Sequence, residues 1–558
     1  MEPRPNGAFP STPSIASQSS AATIALADSH AKDNTSKPNL GQQLSEGNKF
    51  SEKAAVDTSI QYEYLTFDTD LPEFLFTTPP DAEFSPPDLK KYQSPFLWSA
   101  ARKNVCLFLS CCSTFLAGYS AGSYSIASVP LREKWNLSSV VFICGVTTWA
   151  IGFALSPMFL APLSEINGRR PVFLASGLMF LVALIGCAAT NSFPGMLVAR
   201  FFVGAGASTF ATMVGGVISD VYHAEHRNTP MAIYSCSALS GSGAGPLLSG
   251  FIIGRVSWRW VFWTQVIALA ITMTAMVFFF KETRGSVLLS RKAKEINKAL
   301  EKREKLANTA ARPLRYKVAA DENRSSLAQM LYFSLTTPFK LLATESVVFF
   351  FSLWVAFAWA ILYMTFTTIP FVFSTRYDFN TQQVGAVFAA ISIGSMIGAF
   401  LSIYQEKAAR RYWPKLSSSP EGRLYFACLE SALLPIGLFW FGWTSFSSIS
   451  WISPAIALGV AQVGIFSIYL AVFNYLADVY HRFASSALAG QSFCRNTLAA
   501  VFPLFADAMF RRLGYAAASS LLGGIGAVLT LVPWVLVFNG EKIRARSKIA
   551  SEIMTRGG

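Results

Sequence analysis

From Asn104 onward the chain returns twelve times to apolar stretches long enough to cross a bilayer, near 104–126, 139–160, 171–190, 195–218, 231–253, 260–280, 346–369, 383–404, 424–443, 452–476, 485–507 and 516–538. A helix needs about 20 apolar residues to span the hydrocarbon core. Inside lipid such a segment must satisfy its own backbone, which a helix does. Only 14% of the residues are charged and 52% are hydrophobic, whereas soluble domains carry about a quarter charged residues. The expected fold is an all-α membrane protein of twelve transmembrane helices in two six-helix pseudo-repeat bundles. The N-terminal bundle covers 101–280, a basic cytoplasmic linker 281–345, the C-terminal bundle 346–538 and a cytoplasmic tail 539–558. Residues 1–100, rich in Ser, Thr, Pro, Asn and Asp, cannot bury enough apolar surface to offset chain entropy and are expected to be a disordered cytoplasmic tail. No apolar core follows a basic N-terminal patch, so no cleavable leader is expected.

Orientation follows from the basic residues of the short loops. Arg102, Lys103, Arg169, Arg170, Arg227, Lys407, Arg410, Arg411, Lys415, Arg423 and Arg482 fall on one side, together with Lys542, Arg544, Arg546 and Lys548 of the tail. Both termini are therefore expected in the cytoplasm, and "RKAKEINKALEKREK" in the linker reads as an amphipathic helix. The net charge of +14 thus belongs to membrane topology, with no nucleic-acid partner expected. Eight cysteines, all inside apolar spans, read as packing residues. No phosphate-binding Gly-x-x-x-x-Gly-Lys-Ser/Thr loop occurs, no cofactor is implied, and "HAEH" at His223–His226 lacks further metal ligands. Enzyme activity is not expected.

Asp-Val-Tyr-His occurs twice, at Asp220–His223 and Asp478–His481, at the cytoplasmic ends of spans four and ten. A Pro-Leu pair follows each about 25 residues later, at Pro246–Leu247 and Pro503–Leu504. Two markers in the same order at near-equal spacing identify the halves as parallel repeats. Such an arrangement places a substrate site at their interface near mid-membrane.

Three phrases carry chemistry. In "APLSEINGRRP", Glu165 closes span two, Gly168 makes the turn and Arg169–Arg170 open span three. In "ARFFVGAGAS", Arg200 lies inside span four; a buried arginine there is functional by default, or it snorkels to the outer interface. In "GSGAGPLLSG" of span five, Gly241, Gly245 and Gly250 permit close backbone approach and Pro246 bends the helix. The first phrase resembles the loop signature of the major facilitator superfamily, Gly-x-Leu-Ala-Asp-Arg-x-Gly-Arg-Arg, with alanine for the first glycine and Ile166 for the first arginine. The second resembles that family's span-four signature Arg-x-x-x-Gly. The third resembles its antiporter signature Gly-x-x-x-Gly-Pro-x-x-Gly-Gly, with Ser249 for one glycine. With "WRWVFW", "NYLADVY" and "FPLFADAMFRRLGYAAASSLL", the stretch from Trp98 to Arg546 is similar to the fungal twelve-span drug:proton antiporters.

The resemblance implies a proton-coupled exporter of drugs, toxins or secondary metabolites, working by alternating access. It implies Arg200 for proton coupling, Glu165 meeting span eleven, and Arg169 meeting Asp220, with Gly168, Arg170 and Asp478 completing the cytoplasmic gate. In this fold spans one, four, seven and ten line the cavity, beside two, five, eight and eleven. Candidate lining residues are Trp149, Trp354, Trp359, Tyr363, Gln462, Asn474, Gln491, Arg495 and Asn496. Glu430, in span nine, is the acid inside an apolar stretch, either a second proton-coupling group or a side chain snorkelling beside Arg423. A polyamine cavity would need carboxylates; the lining spans offer arginines, so a neutral or anionic, partly aromatic substrate is expected. A facilitative importer or uniporter, a polyamine exporter and a non-transporting receptor are the alternatives. The expected setting is a monomer in the plasma membrane, or in the vacuolar membrane.

Overall fold

The structure, a computed structural model, describes residues 60–76, 86–307, 314–322, 327–412, 421–480 and 484–546. The chain divides into a small unit, residues 1–61 with 311–313, and a body of 62–310 and 314–558 that carries the helices. Eleven helices among the described residues are long and apolar enough to cross a membrane. Spans one to six are Ala100–Ile126, Ser139–Asn167, Arg169–Ala189, Phe193–Val221, Asn228–Ile253 and Arg259–Phe279. Spans seven to ten are Ser346–Arg376, Thr381–Tyr412, Leu424–Thr444 and Ile452–Tyr480, and span twelve is Tyr515–Gly540. Span eleven, Ala484–Leu513, is 30 residues long but more polar, because Gln491, Arg495 and Asn496 sit in its interior.

Local chemistry sets the helix starts. Ser138 and Ser192 accept from Val141 N–H at 3.4 Å and Gly195 N–H at 3.3 Å, each filling one of the donors a helix N-terminus leaves free. Asn380 and Gln383 form a reciprocal capping box at span eight, with bonds of 2.9 and 3.0 Å. Gly168, at φ 99°, adopts a backbone that L side chains avoid, so spans two and three reverse direction within one residue.

Spans seven, ten and four are the most enclosed, with 83%, 78% and 72% of their apolar windows buried, against 33% for six and twelve. The first three are therefore central and the last two peripheral. Exposed apolar side chains include Ile271 and Phe278 of span six, Val528 and Phe538 of span twelve, and also Leu178 of span three and Trp443 of span nine. Apolar surface of this extent is unsuited to water and suited to lipid. Within the halves, span five packs on span one and span eleven on span seven; between them, span eight packs on five and span eleven on two. All eight cysteines are free.

The tail departs from expectation. Strand β1, Gln61–Tyr64, pairs with strand β2, Leu314–Lys317, of the linker. Leu65 and Leu75 are buried against Ile296 and Leu300 of the amphipathic linker helix Gly285–Ala307, with Tyr316 and Val318. Order therefore begins well inside the segment expected to lack it: five buried apolar side chains from the linker, Ala293 with the four just named, supply the core that the tail alone does not have. Lys415, His481, Arg482 and Lys548 lie outside the described residues.

Candidate functional site

Where span three begins and spans four and six end, the N-terminal half is built on a buried charge network. Arg169, which opens span three, reaches Asp220 at the end of span four at 3.2 Å. Arg284, just beyond span six, reaches the other Asp220 oxygen at 3.3 Å. Arg169 also donates from Nη1 to Ser164 Oγ at 2.7 Å. Glu282 accepts from the backbone N–H groups of Arg169 at 2.8 Å and Arg170 at 3.2 Å, a carboxylate set on the positive end of span three. Arg170 donates to the Val277 carbonyl at 2.7 Å. A side chain at Gly168 would collide with the Glu282 carboxylate. Glu165 is half-buried and forms no hydrogen bond or ion pair with another described residue; span two packs on span eleven, but not through this carboxylate. Asp478 is half-buried at the end of span ten.

Nearer the middle of the spans a second cluster forms from arginines and rings. Arg495 of span eleven lies 4.3 Å from the Trp359 ring centroid and 5.0 Å from that of Tyr469. Trp359 and Tyr363 stand one turn apart on span seven, and Tyr363 faces Trp149 of span two, with centroids 6.1 Å apart. Gln491 lies one helical turn before Arg495. Arg200 is fully buried: Nε donates to the Gly145 carbonyl at 3.0 Å and Nη1 to the Ser120 carbonyl at 2.8 Å. Its guanidinium lies 4.7 Å from the Tyr124 ring centroid. The snorkelling alternative is thus removed, since the side chain points into protein.

The halves touch above and below this cluster. Towards the end where span five finishes and span eight begins, a Cβ at Gly250 would lie 3.0 Å from the Thr381 carbonyl oxygen, one at Gly385 2.9 Å from that of Pro246, and Thr147 donates to the Ala500 carbonyl at 2.9 Å. At the opposite end, Asn228 of span five donates to Glu406 of span eight at 2.9 Å and accepts from Asn474 of span ten at 3.1 Å. Arg410 pairs with Glu406 at 2.6 Å and donates to the Glu225 carbonyl. Beside this latch lies a cavity of about 110 Å³ lined by Asn228, Gln405, Glu406, Arg410, Glu430 and Asn474 among others. Glu430 accepts there from Gln405 at 2.5 Å, so it faces the polar cavity where the two halves meet. The Arg423 side chain lies outside the described residues. The two halves are thus in contact on both sides of the cluster.

Residues 110–503 match the family described as Major Facilitator Superfamily. The chain belongs to that superfamily. It is 35% identical to the efflux pump atB of Aspergillus terreus, over 75% of this chain and 86% of that one. It is 28% identical to the probable drug/proton antiporter YHK8 of Saccharomyces cerevisiae, over 81% and 86%. Among solved structures, the proton:xylose symporter XylE bound to 6-bromo-6-deoxy-D-glucose aligns with a TM-score of 0.57 at 15% identity, covering 79% of this chain and 97% of that one. At such identity the likeness speaks for the fold alone. This is a transporter, with the twelve-helix facilitator fold.

Of the predicted cavity residues, the transporter brings Trp149, Trp359, Tyr363 and Arg495 together, with Gln491 alongside. Others go elsewhere. Trp354 stacks on Phe351, 5.9 Å between centroids. Gln462 donates to Ser395 at 3.0 Å within the C-terminal half. Asn474 belongs to the latch with Asn228 and Glu406, and Asn496 bonds back to the Ser492 carbonyl at 2.8 Å on its own helix. Polarity marked all four for the cavity, but on helices apolar all round it does not fix which way a residue turns. The span-five signature also divides. Gly241 and Gly245 abut the Phe115 and Tyr119 carbonyls of span one, in their own bundle; Gly243 and Gly250 abut span eight, in the other. Sequence reading missed Glu282 and Arg284, whose signal was the charged run "KETR" closing span six, and Tyr469, Asn228 and Glu406.

Proposed function

We propose that this transporter exports small organic molecules, in the class of drugs, toxins or secondary metabolites, by alternating access with protons moving inward. The observation that carries the reading is a buried arginine–aromatic cluster near the middle of the spans with cross-half contacts on both sides of it. A site that must face alternate sides needs a closure at each mouth, and each closure here consists of a few polar bonds or glycine contacts that can part. The relatives named for efflux and drug/proton antiport support the direction. Arg200 serves proton coupling, with Glu430 as a second candidate; Gly168, Arg169, Arg170 and Asp220 anchor the cytoplasmic gate, and Glu165 and Asp478 flank it. The substrate enters among Trp149, Trp359, Tyr363, Gln491 and Arg495. The setting is the plasma membrane, as a monomer with both termini cytoplasmic. The test is drug resistance and dye efflux in cells overexpressing the chain, with and without a proton uncoupler. Energy-dependent efflux that the uncoupler abolishes is expected; efflux indifferent to it identifies a facilitator, and import identifies the rival direction.

A further inference from the structure

The central cluster is rich in hydrogen-bond donors that nothing among the described residues accepts. Trp149 Nε1, Arg200 Nη2, Trp359 Nε1, Gln491 Nε2 and Arg495 Nε are buried without a partner. All five residues are buried, at 8% exposure or less. A buried polar group left unmatched is unfavourable, and five of one kind around one site describe the ligand by complement. Among the described residues, the corresponding acceptor-only atom is Asn496 Oδ1 alone at this level of span eleven. Charge points the same way. Neither Arg200 nor Arg495 has a carboxylate within ion-pair distance among the described residues, and an uncompensated buried cation is strongly unfavourable. Arg200 is partly compensated by two carbonyls. Arg495 has only the faces of Trp359 and Tyr469, which hold its guanidinium plane while leaving its donors free. The carboxylates Glu406 and Glu430 are placed at the latch, around the separate cavity there.

We infer that the central site takes an organic anion: an aromatic body against Trp359, Tyr363 and Tyr469, with its carboxylate or comparable acidic oxygens on Arg495, Gln491 and Trp149. The inference rests on the reading of this cluster as the transport site and narrows it. A planar guanidinium can present paired donors to a carboxylate, which an ammonium cannot, so Arg495 sets the charge preference and the rings accept a range of bodies.

Two xanthene dyes of similar shape and opposite charge make the test: fluorescein, an aromatic carboxylate, and rhodamine 123, a cation. Inside-out vesicles holding the full chain are given a proton gradient, and uptake of each dye is followed. Gradient-dependent fluorescein uptake well above that of rhodamine 123 is expected. Arg495→Gln should lower fluorescein uptake at least tenfold, and Arg495→Lys should recover part of it, chiefly in maximal rate, with KM remaining raised. Rhodamine 123 carried as well as fluorescein, or fluorescein uptake unchanged in an Arg495→Gln protein, overturns the anion assignment and leaves export standing. Uptake of neither dye, in vesicles whose protein elutes as a single folded species, removes the export reading and this one with it.

Discussion

Asp220 joins two guanidinium groups from different parts of the chain, and its own side chain is only 10% exposed. Removing one member of a buried pair costs about 3–5 kcal/mol. Because the Arg284 side chain is 32% exposed, the lower end applies, so Asp220→Ala should destabilise by about 3 kcal/mol, read as earlier thermal unfolding in detergent. Asp220→Glu should recover much of that loss, whereas a purely steric role would leave it unrecovered. Gly168→Ala meets two penalties together, a positive φ and the Glu282 carboxylate. It should cost more than about 1 kcal/mol and loosen the capping of span three, seen as faster hydrogen exchange at Arg169 and Arg170. The Arg169–Asp220 pair was legible in advance because a family signature carried it. Glu282 was not: it lies 113 residues from the backbone N–H it accepts from, and no local spacing connects the two. Arg495 was visible as a charge inside an apolar run, but its bed of Trp359 and Tyr469 depends on how three helices turn.

At the level of helices, the spans themselves were readable because an apolar run of bilayer length has one stable solution. Their rotation was not, and span five shows why. Gly241 and Gly245, four residues apart, form one seam against span one, and Gly243 and Gly250 form another against span eight. Read as one motif, the glycines hide two faces: at 3.6 residues per turn Gly243 and Gly250 lie opposite Gly241 and Gly245, one pair packing inside a bundle and the other against the second bundle. The seams should respond differently. Gly241→Ala drives a methyl into the Phe115 carbonyl within one bundle and should lower the yield of folded protein. Gly250→Ala meets the Thr381 carbonyl oxygen at 3.0 Å and the Gly385 Cα at 3.1 Å across the halves. It should fold normally but hold the outer mouth ajar, so that a cysteine placed at Thr381 reacts faster with a membrane-impermeant thiol reagent while transport slows. Equal yields and equal labelling in the two variants would make the two seams one.

For the whole molecule, the six-plus-six plan leaves the joint between the halves to a linker whose core is completed from elsewhere. The tail closes over the linker helix through Leu65 and Leu75, and polar pairs around the small sheet add to this. Arg315 holds Glu304 in a double contact of 2.6 and 2.7 Å, and that hydrogen bond places the Glu304 carboxyl below its usual range. The Tyr64 hydroxyl donates to Glu322 at 2.5 Å, lowering the Glu322 carboxyl and raising the Tyr64 phenol. A carboxylate whose folded pKa is depressed adds stability that is complete above its unfolded pKa and disappears as pH falls through the folded value. For Tyr64 the sign reverses: its contribution is present below the ordinary phenol pKa and fades as pH rises through the raised one. The tail–linker sheet should therefore be tightest across the neutral range and open in acid. Hydrogen exchange at residues 62–65, corrected for intrinsic rate, should rise between pH 7 and about pH 3, below the ordinary Glu value of about 4.3, and Glu304→Gln should flatten much of that response. Deleting residues 1–76 bares Ile296, Leu300 and Tyr316 at once and should lower the yield of folded protein, whereas deleting only residues 1–59 leaves that core covered and should not. If the longer deletion expressed and transported as well as the shorter, the linker would be folding without its cover, and the tail would have no part in joining the two halves.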